Sequence, residues 1–277
     1  MKTVLVTGAS GYIGPHVISN LLNKNCRVFG VSRSLSQQVE GCSYIEKDIF
    51  DESVDFFQLA KHPEVCIHLA WKDGFSHNSP NHILYLSQHF RFLKDLIDKG
   101  LKSLVVLGTM HEVGYWEGSI SEDTPCNPTT LYGIAKNALK DALITYCKDK
   151  GCSLKWLRAY YILGDEKRAN NIFAKILQAE QLDKKEFPFT TGTNLYDFIN
   201  VDELAEQIST CSLQNEIGGV IECCSGKPQK LADAVEQFIA QNNLKIKLKY
   251  GAFPDRDYDS PGIWGDNSKL LKILKEK

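Results

Sequence analysis

The stretch Thr7-Gly8-Ala9-Ser10-Gly11-Tyr12-Ile13-Gly14 constrains this chain more than any other. It comes directly after the apolar run Thr3–Val6 and opens into an amphipathic stretch. Three glycines between a strand and a helix have separate uses. Gly8 permits a tight turn, Gly11 lets backbone approach an anionic group, and Gly14 lets helix and strand pack closely. A helix N-terminus adds unpaired N–H groups and partial positive charge. The segment therefore predicts a cradle for a dinucleotide pyrophosphate, lined by the glycines with Ser10, Tyr12 and Ile13. The spacing is G-x-x-G-x-x-G rather than G-x-G-x-x-G, and its place after a strand and before a helix gives it weight.

The front half of the chain keeps the same rhythm. Strand-like runs fall at Thr3–Val6, Arg27–Val31, Ser43–Ile45, Val65–Leu69, Ser103–Leu107 and Ser153–Leu157, with helical stretches near 12–24, 53–61, 80–98 and 129–149. Strand and helix in alternation predict an α/β, doubly wound parallel sheet of the Rossmann type. After residue 160 the pattern loosens. Helices are expected near 170–181, 202–211, 230–242 and 269–275, a short strand within Asp183–Phe189, and a strand at 246–250. The expected division is a dinucleotide-binding domain over 1–160 and a smaller, mainly substrate-binding C-terminal lobe over 161–277, with some chain returning to the first domain.

Composition narrows the partners. The formal net charge of -2 gives no electrostatic reason to bind nucleic acid or an anionic membrane. No apolar run approaches a membrane span of roughly 18 residues, and Lys2 leads straight into a strand, so no leader is expected. The nine cysteines are scattered without a C-x-x-C pair, which suggests packed, reduced thiols and a cytoplasmic setting. The seven histidines are dispersed, and no metal site is expected.

Two further places bear on chemistry. The second strand ends in Ser32-Arg33, where a carboxylate would serve the free ribose hydroxyls of NAD. A guanidinium pairs with a 2′-phosphate instead, so NADP(H) is favoured and NAD(H) left open. Tyr132-Gly-Ile-Ala-Lys136 puts a phenol and an ammonium four residues apart on one helix face. Positive charge beside a phenol favours phenolate and brings its pKa down towards a useful proton donor and acceptor.

Together these motifs resemble the extended short-chain dehydrogenases/reductases, in the NAD-dependent epimerase/dehydratase group acting on nucleotide sugars. The resemblance spans nearly the whole chain, through TGASGYIG, KDI at 47–49, HLAW at 68–71, LGTMHEVG at 107–114, YGIAK, LRAYYILG at 157–164 and YDFINVDELA at 196–205. It implies that Asp48 and Ile49 hold the adenine and that Leu69 and Ala70 line the cofactor trough. It further implies that Thr109 hydrogen-bonds the reacting oxygen, Tyr132 is the acid/base, and Lys136 binds the nicotinamide ribose and tunes Tyr132. A homodimer built through helices 80–98 and 129–149 is implied as well.

Departures select within the group. Related 4,6-dehydratases carry Asp-Glu after the Thr, where this chain has Met110-His111. Methionine transfers no proton. The R-x-F-N pattern of UDP-galactose 4-epimerases is broken by Tyr161. The nearest pattern is that of 4-keto-6-deoxyhexose reductases. The expected activity is an NAD(P)H-dependent reduction of a nucleotide-linked 4-keto-6-deoxy sugar. Expected substrate contacts are His111, Tyr161, Asn171 and Arg256, with Glu112 either touching substrate or supporting the site from behind. Arg168, Asn170, Trp264 and the 73–78 loop are further candidates. The alternatives are an epimerase with tightly held NAD, a reductase of a non-sugar carbonyl, and a non-catalytic dinucleotide-binding regulator.

Overall fold

A computed structural model describes residues 1–166, 169, 171–254 and 260–275. Seven strands form its main sheet: β1 (Thr3–Thr7), β2 (Arg27–Ser32), β3 (Ser43–Glu46), β4 (Val65–His68), β5 (Ser103–Thr109), β6 (Ser153–Ala159) and β7 (Gly219–Cys223). They lie in the order β7-β6-β5-β4-β1-β2-β3, and every neighbouring pair is parallel. Strand order reverses between β1 and β4, which opens a crevice at their C-terminal ends.

Helices cover both faces. On one side α1 (Gly14–Asn23), α5 (Val201–Leu213) and α7 (Ser268–Lys275) bury Val17, Ile18, Leu21, Leu204, Ile208, Leu270 and Ile273 against the sheet. On the other, α2 (Leu86–Asp98) and α3 (Leu131–Lys150) bury Phe92, Leu93, Leu96, Leu139 and Leu143. Strands buried on both faces read as apolar runs, which explains why β1, β2, β4 and β5 stood out in the sequence. Helices α4 (Ile172–Gln181) and α6 (Leu231–Gln241) enclose a separate cluster with Phe173, Ile176, Phe189, Phe198 and Val235.

The sequence reading departs from the structure at identifiable places. The helix expected over 53–61 is one turn, Phe56–Leu59, because Lys61 and His62 both take positive φ (57° and 56°) ahead of Pro63. The 80–98 helix is divided at Tyr85 into Asn81–Leu84 and α2. The strand β7 went unread, as did the short strands Gly118–Ile120, Tyr161–Leu163, Leu195–Tyr196, Phe198–Asn200 and Gly262–Gly265. Their partners lie far along the chain: Leu195 pairs with Gly262, and Ile263 with Gly118. Within the described residues no helix is long and apolar enough to cross a membrane.

Candidate active site

The glycine loop is built as its spacing required. Gly8 has φ +70°, and a Cβ there would lie 2.8 Å from the Ala70 backbone nitrogen. A Cβ on Gly14 would lie 2.4 Å from the Gly8 carbonyl oxygen. Gly11 N donates to Gly8 O at 2.9 Å, closing the turn. With Pro15 in its first turn, α1 begins directly after this loop, which puts the unpaired amides of a helix start beside it. Around this loop opens a cavity of about 1620 Å³. That exceeds the roughly 300–1000 Å³ of a single small-ligand pocket and leaves room for a dinucleotide and a second ligand.

Gly8, Ser10, Gly11, Tyr12, Ile13 and Gly14 all line the cavity, as do Ser32, Arg33, Asp48, Ile49, Leu69 and Ala70. Several have local work too. The Ser10 hydroxyl bonds the Ser32 hydroxyl and donates to Ser34 O at 2.9 Å. The Tyr12 hydroxyl donates to Gly164 O, tying the loop to the strand after β6. Asp48 accepts from Phe50 N at 3.0 Å, so its carboxylate also caps a turn.

Thr109, Tyr132 and Lys136 line the same cavity. Thr130 caps α3 by accepting from Gly133 N at 3.1 Å. A Cβ on Gly133 would lie 2.3 Å from His111 O, so glycine is what lets α3 approach the end of β5. That approach joins the Tyr132 phenol to Thr109. The Lys136 ammonium donates to Leu107 O at 2.7 Å and stands 4.0 Å from the Trp71 ring centroid. The protonation balance differs from the sequence expectation. Burial pushes the Tyr132 phenol well up, Glu112 adds to the rise, and only the hydrogen bond to Thr109 opposes it. Burial also lowers Lys136 to about 7, against the pull of Glu112. In the protein alone, desolvation outweighs the ammonium's effect on the phenol.

The expected substrate contacts separate. His111 and Tyr161 line the cavity. Burial drops His111 to about 3, so it is a neutral imidazole. Glu112 does not reach the cavity. It is fully buried, accepting from Thr109 N at 2.8 Å and Trp156 Nε1 at 2.9 Å. It also pairs with Arg158 Nε at 3.1 Å. It thus supports Thr109 from behind, the second of its two expected roles. A Cβ on Gly108 would lie 2.1 Å from Trp156 Nε1, so the network needs glycine there. Arg158, itself buried, also pairs with Glu222 at 3.0 Å. Asn171 lines the cavity, but its side chain caps α4 at Ala174 N (3.0 Å) and donates to Ile162 O (3.2 Å). Trp264 packs over Gly262 and does not line the cavity. Arg256, Arg168 and Asn170 lie outside the described residues.

Other cavity residues were not singled out from sequence. Trp71, His89, Tyr160, Tyr196 and Phe198 line it, beside His77 of the expected 73–78 loop. The run Trp71-Lys-Asp-Gly-Phe-Ser-His77 directly after β4 was the available signal, since ligands gather at strand C-termini of such sheets.

A doubly wound sheet with a pyrophosphate-type glycine loop and a joined Thr-Tyr-Lys set defines an enzyme of the extended short-chain dehydrogenase/reductase type. Residues 4–224 match the model of the NAD dependent epimerase/dehydratase family, and the chain belongs to that family. It is 44% identical over 270 residues to a dTDP-6-deoxy-L-talose 4-dehydrogenase (NAD(+)) of Aggregatibacter actinomycetemcomitans, covering 95% of this chain and 98% of that relative. Its fold matches MoeE5 in complex with UDP-glucuronic acid and NAD at TM-score 0.84, with 23% identity over 98% of this chain and 92% of that one. It matches a UDP-N-acetylglucosamine 4-epimerase from Methanobrevibacter ruminantium M1 at TM-score 0.85, with 21% identity over 98% and 91%.

Proposed function

We propose that the protein interconverts the alcohol and ketone at C4 of a nucleotide-linked 6-deoxyhexose, using a nicotinamide dinucleotide. The observation that carries this reading is the 44% identity, nearly end to end, with an enzyme named for that reaction. The cavity that joins Thr109, Tyr132 and Lys136 supports it. A bound nicotinamide dinucleotide supplies or accepts the hydride. In reduction, Tyr132 gives its proton to the oxygen at C4, Thr109 donates a hydrogen bond to that oxygen, and Lys136 stabilises the phenolate left behind. In oxidation the same groups run in reverse.

Residues 1–160 then serve mainly the cofactor and 161–277 mainly the sugar nucleotide, while α5, β7 and α7 rejoin the sheet. Arg33 on the cavity wall, at a β2 end whose own residues Ser32-Arg33 include no carboxylate, supports NADP(H). The NAD(+) in the relative's name supports NAD(H). Arg33→Ala decides between them: a pairing role lowers the NADPH-to-NADH preference about tenfold, and an unchanged ratio removes it. Ile83, Leu84, Ile134 and Ile144 expose apolar surface on the helices at 81–98 and on α3, which supports a homodimer through that face. Light scattering at monomer mass rejects it. The unbridged thiols support a reducing, cytoplasmic setting.

The deciding assay monitors dinucleotide absorbance with dTDP-linked 6-deoxyhexoses and their 4-ketones. Turnover is expected, with Tyr132→Phe losing about 10²- to 10⁴-fold in kcat while still binding dinucleotide. Inversion of the sugar with no net change in absorbance would replace this reading with an epimerase.

A further inference from the structure

Lys136 is buried and makes no ion pair among the described residues. Its ammonium has three stabilising contacts: the Leu107 carbonyl, the face of Trp71 at 4.0 Å from the ring centroid and, further off, the Tyr132 ring at 6.0 Å. The indole is itself held on three sides. His89 stacks on it with ring centroids 4.3 Å apart and planes 14° apart. Two groups that close cannot share one face, so Lys136 takes the other. Within the ring plane, Trp71 Nε1–H donates to His82 Nδ1 at 2.9 Å.

That bond fixes His82. An indole nitrogen only donates, so Nδ1 of His82 must be bare. The ring's single proton is then on Nε2, 3.0 Å from Ser76 O. Both bonds are made together by this one neutral tautomer, in a side chain 2% exposed. Ser76 belongs to the 73–79 loop. Asp73, at φ 59°, gathers that loop by accepting from Ser79 Oγ at 2.7 Å and Asn81 Nδ2 at 2.6 Å. The loop's His77 carbonyl accepts from Tyr132 N at 2.8 Å. His82 thus joins the ring beneath Lys136 to the loop that caps the start of α3 at Tyr132.

We propose that Trp71 is a positioning residue for the proton-transfer pair, keeping the Lys136 ammonium in place beside Tyr132, and that His82 holds Trp71 in that orientation. This rests on the reading of Tyr132 and Lys136 given above. A ring face attracts ammonium and not the neutral amine. Burial has already brought Lys136 to about 7 against the pull of Glu112, so a contact that favours ammonium raises its charged fraction near neutrality. The arrangement also gives a use to the two rings flanking Trp71. His89 is kept neutral by burial, at about 3, so it adds no positive charge next to Lys136.

The test titrates Lys136 directly, without substrate. In protein labelled with ¹³C-lysine, the Lys136 Cε resonance, assigned with Lys136→Met, is tracked against pH in wild type, Trp71→Phe, Trp71→Leu, His82→Asn and His82→Leu. Trp71→Leu removes the ring face and is expected to lower the midpoint by about one pH unit. Trp71→Phe keeps a face and loses less. His82→Leu is expected to lower it by about half a unit. His82→Asn, whose Oδ1 replaces the Nδ1 acceptor, returns it to the wild-type value. In turnover at about pH 7, Trp71→Leu lowers kcat about fivefold and His82→Leu about twofold, with KM for the nucleotide sugar unchanged. The deficit shrinks as pH is lowered and Lys136 recharges. An unmoved midpoint in folded Trp71→Leu and His82→Leu overturns the proposal, as does a raised KM with unchanged kcat. If Trp71→Leu does not fold, the His82 pair decides. If wild type turns over no nucleotide sugar, the substrate reading falls and the titration still decides this one.

Discussion

The two sides of the cavity are made by different means. The side around β1 and α1 is built from backbone: glycines that leave room, and amides at a helix start. The side around Tyr161–Leu163, Phe198–Asn200 and α4 is built from side chains brought from distant places. Tyr161 packs on Tyr196 at 4.4 Å between ring centroids and on Phe198 at 5.7 Å, and none of these contacts is local. A backbone site tolerates little change at a few positions. A side-chain site spreads its contribution, so each member matters less and recognition is easier to retune.

That contrast is open to direct attack. The largest effect is expected at Gly14. A Cβ there meets two carbonyl oxygens, Gly8 O at 2.4 Å and Ala9 O at 2.6 Å, neither of which can swing away. Gly14→Val should weaken dinucleotide binding by about 3 kcal/mol, roughly 100-fold, measured by fluorescence titration. Equal weakening of sugar-nucleotide binding would erase the distinction between the two sides.

Acid provides the next test. His68, His89 and His111 are all driven below the usual histidine range by burial. All three belong to the part of the chain before residue 160, and the apolar cluster around Phe173 and Phe198 contains none. Their folded pKa values lie below the unfolded one, so the unfolded chain takes up protons first. Stability is therefore full above about pH 6.5 and falls as pH drops. Glu222 works the other way between its unfolded value and about 7, since burial raises it despite Arg158. With His77 lowered by burial as well, four groups against one leave a net loss of about 2–3 kcal/mol between pH 6.5 and 5.5. Hydrogen exchange should show the loosening around β4, α2 and the end of β5. Loosening that begins in α4 and α6 would contradict it.

Tyr161→Ala is expected to have the smallest effect, about tenfold on KM for the sugar nucleotide. Dinucleotide affinity should stay within about twofold. A large loss of dinucleotide binding would mean that the aromatic wall serves the cofactor instead.

Legibility in the sequence divides along the same line. The first six strands of the sheet, the glycine loop and the Tyr132–Lys136 spacing were legible because each is encoded within a few neighbouring residues. Glu112 illustrates the limit. Its place beside Thr109 was visible, but choosing between a substrate contact and a buried support required Trp156 and Arg158, 44 and 46 residues further on. Asn171 looked like a ligand group and proved to cap a helix while bonding Ile162. Trp71 ends the HLAW motif with no role legible there, because its neighbours Lys136, His82 and His89 converge only in the folded chain.

By itself, then, the sequence determined the parallel sheet, the phosphate-type loop and the residues able to move a proton. These depend on backbone freedom, on apolar period and on spacing along one helix, all of them short-range. Tertiary structure alone decided which polar groups face the cavity and which are spent on the fold. It also set the protonation of Tyr132 and Lys136, because desolvation is created only when distant parts of the chain close around them.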